Sequence, residues 1–339
     1  MEEPKSEIRI SYITGLNDVV SEEIRVSGLT IRGTSDDSFY VDFAGSLSPF
    51  KQLRSASRAY LVVRDTRYHP TYINNHKSIL GALVDVVISE DAKGFKSFKL
   101  TCAGSDSPEA RGIARYIAET YKLSEEEDAD LKIHIIKQET VWEVGVQITP
   151  RPLSVRAYKV RNMEGAMDPT IAYATNSFCN LENAKTYLNI FSGSGTLLIE
   201  AGQCYKNLEK LVGFDNNKKH LSLAVQNIKE AGLTRSVQLF EDDIFGNPDL
   251  GKFDAITSDL PFGMSISKGE NLNTLYKCFI EYCEETLISR GRLVVYTNEH
   301  KMFKEIISKS KFKIVKTLRL EFMTNGNQYL HPKILVCTF

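Results

Sequence analysis

The sequence predicts an α/β domain with a mostly parallel sheet, preceded by a smaller α+β region. Three observations carry this. From about residue 167 onward, apolar strand-like runs and helix-like runs alternate strictly, which is the rhythm of a parallel sheet with helices on both faces. Before about residue 150, short strands and helices follow one another without that rhythm. Between them "TPRPLSVRAYKVR" (149–161) has two prolines and no acid, a shift in composition that marks a junction. At 339 residues the chain exceeds one typical domain, so more than one core is expected.

Taken in order, "EIRISYITG" and "DSFYVDF" alternate like half-buried strands, and the helix-spaced "LNDVVSEEIRVSG" between them stops at Gly28. Residues 1–50 thus form one α+β unit. Residues 51–150 form a second, with strands at "AYLVVRD", "FKLTCAG" and a pair within "LKIHIIKQETVWEVGVQI". Its helix "PEARGIARYIAETY" opens on Ser107 and Pro108, a good cap and first-turn pair. The acidic run "SEEEDAD" reads as a solvated connection. Residues 151–166 link these units to 167–339. There, strands are predicted at "KTYLNIF", "KLVGFD", "SVQLFEDD", "FDAITSD", "GRLVVYT", "KIVKTLRLEF" and "YLHPKILVCTF", with helices between the first six. In one of these helices Leu221, Ala224, Val225 and Ile228 fall on one face, and Gly232 stops it. No helix separates the last two strands, and Asn325–Gly326 supplies a turn, so they should form an antiparallel hairpin at the sheet edge.

The net charge of −1 means that nothing in the total demands a polyanionic partner; any such partner must be held by a local patch. The strip with Arg151, Arg156, Tyr158, Lys159 and Arg161 reads either as a stiff, charged linker or as a surface facing nucleic acid. The six cysteines are scattered, with no pair or histidine at ligand spacing, which predicts reduced thiols and no metal site. The start "MEEPKSEIRI" is acidic, and the apolar "ALVDVVI" is short and interrupted by Asp85. A soluble, cytoplasmic chain with no membrane span is expected.

In an open parallel sheet, ligands collect beyond the C-terminal ends of the strands. Four predicted strand ends carry residues a turn does not need. In "NIFSGSGTLLIEAG", Gly193 and Gly195 let backbone approach a ligand, and the next helix offers free N–H groups; Leu198 stands where a dinucleotide fingerprint has glycine, so an NAD site loses support. Asp215 in "VGFDNN" suits a ribose diol or an N-cap. Asp242 and Asp243 in "FEDDIF" sit where an adenine amino group is read. The fourth end is "SDLPFG", with Asp259, Leu260, Pro261 and Phe262. The set describes a nucleoside cofactor beside a planar substrate.

"FSGSGTLLIEAG" and "SDLPFG", in that order, resemble class I S-adenosylmethionine-dependent methyltransferases that act on exocyclic amino groups. "SYITGLNDVVSEEI" and "PLSVRAYKVR" are similar to the THUMP-domain RNA guanine-N2 methyltransferases, including the tRNA acceptor-stem enzymes. The resemblance implies a Rossmann-like methyltransferase domain over 167–339 with a seven-stranded sheet. It also implies a ferredoxin-like region at 1–50 and a THUMP RNA-binding domain at 51–150. The implied cofactor contacts are Phe191, Gly193, Ser194, Gly195, Thr196, Asp215, Asp242, Asp243 and Asp259. Asp259, with the Leu260 or Pro261 carbonyl, would accept hydrogen bonds from the guanine amine, and Phe262 would stack on an extruded base. The implied substrate is tRNA, at position 6 of the acceptor stem, with rRNA as the alternative, and the implied state is a monomer. An adenine-N6 or protein-glutamine methyltransferase and an inactive RNA-binding scaffold are the competing readings. Asn189 and Ile190 depart from the Asp-Pro pair that many relatives have before the glycine loop, and Leu260 replaces a common proline.

Overall fold

The computed structural model describes residues 5–65, 68–71, 76–91, 94–102, 104, 107–138, 141–262, 272–323 and 329–339. The chain divides into two compact units, Met1–Tyr12 with Val20–Ser154 and Ile13–Val19 with Val155–Phe339.

The first unit is built on one eight-stranded sheet of order β2-β3-β1-β4-β8-β7-β5-β6. Its strands are β1 (Glu7–Ser11), β2 (Ile31–Thr34), β3 (Ser38–Asp42), β4 (Arg58–Asp65), β5 (Ser97–Cys102), β6 (Ser124–Glu125), β7 (Leu131–Gln138) and β8 (Val141–Gln147). β5 runs parallel to β6 and β7, and the other pairings are antiparallel. Residues 1–50 and 51–150 share this sheet, since β1 pairs with β4 and Ile8 lies opposite Leu61. β2 is not signalled by the sequence, because "IRGT" is short and interrupted by glycine. Helix Pro108–Tyr121 opens as expected, with Ser107 Oγ accepting from Ala110 N at 3.2 Å. "ALVDVVI" lies within helix Gly81–Glu90, which buries Leu83, Val84 and Val87. Among the described residues no helix is long and apolar enough to cross a membrane.

The period of two along β1 buries Ile8 and Ile10 on one face and sends Arg9 to the other. There Glu143, fully buried, accepts from Arg9 Nη1 at 2.8 Å, His134 Nε2 at 2.7 Å and the Tyr40 hydroxyl at 3.0 Å. Gly145 lies opposite His134, and a Cβ at 145 would collide with that ring.

The second unit holds a seven-stranded sheet of order β11-β10-β9-β12-β13-β17-β14 and a two-stranded β15–β16 pair. These strands are β9 (Thr186–Ile190), β10 (Lys210–Asp215), β11 (Val237–Glu241), β12 (Phe253–Asp259), β13 (Leu287–Thr297), β14 (Lys313–Arg319), β15 (Phe322–Met323), β16 (Tyr329–Leu330) and β17 (Lys333–Thr338). β9 to β13 pair in parallel, and β17 is antiparallel to both β13 and β14. The expected hairpin is present with its later strand on the inside; its Asn325–Gly326 turn lies outside the described residues.

Val212, Leu188, Ile256 and Leu293 align across four adjacent strands, all fully buried. Each such side chain stabilises the fold by roughly 1.5–3 kcal/mol. Helix Lys218–Glu230 is capped by Asn217, whose Oδ1 accepts from Lys219 N at 3.0 Å, and Gly232 beyond it takes φ +74°. Leu221, Ala224 and Ile228 pack inward, whereas Val225 is exposed, because one residue further round the helix turns it away from the sheet.

Candidate active site

At the end of β9 the chain must turn sharply into helix Thr196–Cys204. Gly193 and Gly195 do this in the left-handed region, at φ +52° and +83°, where L side chains are disfavoured. A Cβ at 193 would stand 3.1 Å from Met163 Cε, so the loop has little room for any other residue. Phe191 also takes a positive φ, +56°, and its ring stacks on Phe279. Ser194 and Thr196 are buried.

Asp215, at the end of β10, organises the loop. Its Oδ2 accepts from Gly193 N and its Oδ1 from Asn217 N, both at 2.9 Å, with His220 Nδ1 3.5 Å from Oδ1. The cap of the following helix is Asn217, so the N-cap reading of Asp215 falls away. Each carboxylate oxygen keeps a lone pair for a hydroxyl donor. The acids after β11 separate in role. Asp243 lines the cavity as well, and accepts from Phe245 N at 3.0 Å and Asn216 Nδ2 at 3.0 Å. Asp242 makes no side-chain hydrogen bond or ion pair among the described residues and lines the cavity.

The fourth strand end faces the same space. Asp259 closes β12, and Leu260 N donates to Tyr296 O at 3.0 Å, keeping the backbone tied to β13 past the last strand residue. The Tyr276 hydroxyl donates to Pro261 O at 2.9 Å and lies 3.1 Å from Thr297 Oγ1. Pro261 and Phe262 are half-buried, and Gly263 lies outside the described residues. A cavity of about 870 Å³ runs from Gly193, Asp215 and Asp242 to Asp259, Pro261 and Phe262. Two buried polar atoms on its wall, Ser192 Oγ and Asp259 Oδ1, have no hydrogen-bond partner among the described residues. Burial pushes the Asp259 carboxyl up to about 7, against the pull of the Lys159 charge. Glycine backbone, a carboxylate with spare lone pairs and orphaned polar atoms fit a nucleoside-bearing cofactor with a planar partner beside it.

The strip at 151–161 requires a correction. Arg156 Nε lies 3.0 Å from Glu200 Oε1, and the Tyr158 hydroxyl donates to the same oxygen at 2.8 Å. Tyr158 is 4% exposed and Glu200 0%, so neither Arg156 nor Tyr158 faces nucleic acid. Lys159 Nζ donates to Met167 O at 2.9 Å, and Arg161 Nε to Gln226 Oε1 at 2.7 Å. An acid inside the apolar helix Thr196–Cys204 would leave a buried charge unpaired, and this stretch supplies its partners. Arg151, in the first unit, is exposed. Sequence reasoning missed Met163, Ser192 and Tyr276; only Tyr276 had a signal, a hydroxyl on a helix face that is otherwise core.

The family model described as UPF0020, RMKL-like, methyltransferase domain, matches residues 156–327. A curated relative from Methanocaldococcus jannaschii, tRNA (guanine(6)-N2)-methyltransferase, is 23% identical over 92% of this chain and 96% of its own length. The crystal structure of TrmN from Thermus thermophilus has a TM-score of 0.77 at 20% identity, covering 98% of this chain and 99% of TrmN. SMU.472, solved in complex with SAH, has a TM-score of 0.71 at 16% identity, covering 99% of this chain and 98% of its own. These two likenesses concern the fold, a class I methyltransferase sheet as the resemblance implied. With its glycine loop, acidic strand ends and Asp-Leu-Pro-Phe motif gathered on one cavity, the chain belongs to the RMKL-like methyltransferase domain family.

Proposed function

We propose that this chain methylates the exocyclic N2 of a guanosine in tRNA, at position 6 of the acceptor stem, using S-adenosylmethionine. The observation that carries the reading is the single cavity that joins Asp215 to the unpartnered Asp259 Oδ1. The name of the Methanocaldococcus relative supports the choice of RNA and base.

S-adenosylmethionine, when bound, supplies an electrophilic methyl group. Phe191, Gly193, Ser194, Gly195, Thr196, Asp215 and Asp242 would hold it, with Asp215 accepting from the ribose hydroxyls. The guanine amine is a weak nucleophile because its lone pair is delocalised into the ring. Ionised Asp259 accepts from N1–H and one N2 hydrogen together. The Leu260 or Pro261 carbonyl accepts the other hydrogen; the Pro261 oxygen, which takes one bond from the Tyr276 hydroxyl, keeps a second lone pair. These bonds localise the lone pair and fix the nitrogen in place. Phe262 stacks on the extruded base. Adenine would set its N1 acceptor against the Asp259 charge and is disfavoured.

Residues 1–50, as a ferredoxin-like region, and 51–150, as a THUMP domain, bind the RNA, and 151–166 link them to the catalytic domain. The chain works as a monomer in the cytoplasm. The test is incubation with labelled S-adenosylmethionine and total RNA, then digestion to nucleosides. N2-methylguanosine is the expected product; N6-methyladenosine, or label in protein alone, overturns the reading.

A further inference from the structure

In the stretch expected to grip phosphates, 151–161, Arg156 and Tyr158 are taken up by Glu200, and the second unit carries another basic cluster. Register places it at the same sheet edge as Asp259. Asp259 lies opposite Tyr296 on β13; the next residue, Thr297, lies opposite Lys333 on β17, and Lys333 lies opposite Arg319 on β14. Helix His300–Ile307 starts just after Thr297, and Lys301 and Lys304, three residues apart, share one face of it. Lys301, Lys304 and Arg319 are exposed and Lys333 is half-buried.

The charges sense one another. Partial burial, then Lys304, Arg319 and Lys301, hold the Lys333 ammonium below the usual lysine range. Burial, then Lys333, lower His300 in the same way, with Lys304 and Lys301 adding to it. None of the four cations pairs with a carboxylate among the described residues; Arg319 touches only His331, at 3.3 Å, whose ring lies 3.6 Å from Glu321. Further along the same stretch, Lys309, Lys311 and Lys316 pair with Glu305, Glu284 and Asp18. Lys313, at the other end of β14, also has no ion pair among the described residues, so what sets the four apart is that they gather at the end of the sheet next to the cavity. Such a cluster repels itself and is relieved by an arriving anion.

We propose that Lys301, Lys304, Arg319 and Lys333 form a docking platform for the phosphate backbone of the RNA substrate, beside the pocket that takes the guanine. The proposal rests on the RNA-methylating reading above. From β12 to β14 is three strand spacings, roughly 14 Å, the scale of a few nucleotides. Phosphates flanking the extruded base are thus within reach of the platform while Asp259 reads the base.

The test compares the parent with a variant carrying Lys301→Gln, Lys304→Gln, Arg319→Gln and Lys333→Gln. A control variant carries Lys185→Gln, Lys206→Gln, Lys229→Gln and Arg235→Gln, four exposed cations elsewhere in the same unit. Binding of unfractionated tRNA is measured over a salt series, with methylation kinetics alongside. The platform variant should lose roughly 0.7–0.9 of the log–log salt slope per contact, about 3 in all. Its KM for tRNA should rise about tenfold or more, with kcat at saturating tRNA and cofactor affinity near the parent's. An unchanged slope, an equal loss in the control variant, or a parent that binds no tRNA overturns the platform. The parent's product separately tests the reading of function: without N2-methylguanosine that reading fails, while the slopes still decide the platform.

Discussion

Two buried carboxylates, one in each unit, are treated in opposite ways. Glu143 has both oxygens saturated, by Arg9, His134 and Tyr40. Although burial pushes its pKa up, the His134 hydrogen bond and the Arg9 charge hold the carboxyl below its usual range. Burial also lowers His134, so a neutral imidazole donates from Nε2 to an ionised Glu143. Asp259 has an oxygen with no partner among the described residues, and burial raises its carboxyl to about 7. A saturated buried charge is part of the architecture; an unsaturated one beside a cavity is poised for a ligand. Arg9 Nε, also unpartnered, shows that an orphan atom alone is not the criterion, since it belongs to a group already paired through Nη1.

This contrast can be broken most forcefully at Glu143. Glu143→Ala leaves the half-buried Arg9 charge without its carboxylate and His134 and Tyr40 without their acceptor, so the first unit should lose about 3 kcal/mol of stability. A loss below about 1 kcal/mol in denaturant unfolding would mean that the network is not structural. Asp259→Asn should behave otherwise, with guanine methylation falling about 100-fold or more and cofactor affinity nearly unchanged. In the parent, kcat/KM should climb as pH rises to about 7 and level off above it if, as proposed, the ionised form accepts the two guanine donors. A parental rate in the variant, or a flat pH profile in the parent, removes Asp259 from base recognition. Asp215→Ala should weaken S-adenosylmethionine binding by about tenfold or more, the loss of a charge-assisted hydrogen bond. Unchanged affinity by calorimetry excludes it from the site.

The smallest effect concerns stability at Asp259. Its folded pKa lies above the unfolded value, so its contribution is fully present below about pH 3.9 and is lost as pH rises through about 7. Asp259→Asn removes that penalty. Its melting temperature should exceed the parent's by a few degrees at pH 8 and match it near pH 4. Equal melting temperatures at pH 8 would show that the carboxyl is better solvated than its burial implies.

The glycine loop and the acidic strand ends were legible because they obey local rules. Glycines were needed at 193 and 195 by a left-handed turn, and Asp215 and Asp259 sit at strand ends that alternation alone locates. Arg156 and Tyr158 were misread because a basic and aromatic string looks the same whether it points to solvent or to a buried acid. The informative residue was Glu200, 44 positions away from Arg156 in an apolar helix, since a lone acid there needs a partner. The cluster of Lys301, Lys304, Arg319 and Lys333 was invisible for a different reason. Its members lie among other lysines over some thirty positions, and only the β13–β17–β14 register and the helix that follows β13 bring them together.

The placement of β17 between β13 and β14 also sets an order of events in time. β14 is made before the strand it pairs with, and β13 has no neighbour on that side until residues 333–338 exist. During synthesis the sheet therefore waits with an exposed edge of Leu293, Val294 and Val295, an invitation to wrong pairing. Pairing of "KILVCT" with β13 closes that edge and sets Lys333 opposite Thr297. A nascent chain stalled before residue 333 thus has β9 to β14 but lacks the strand that joins β13 to β14.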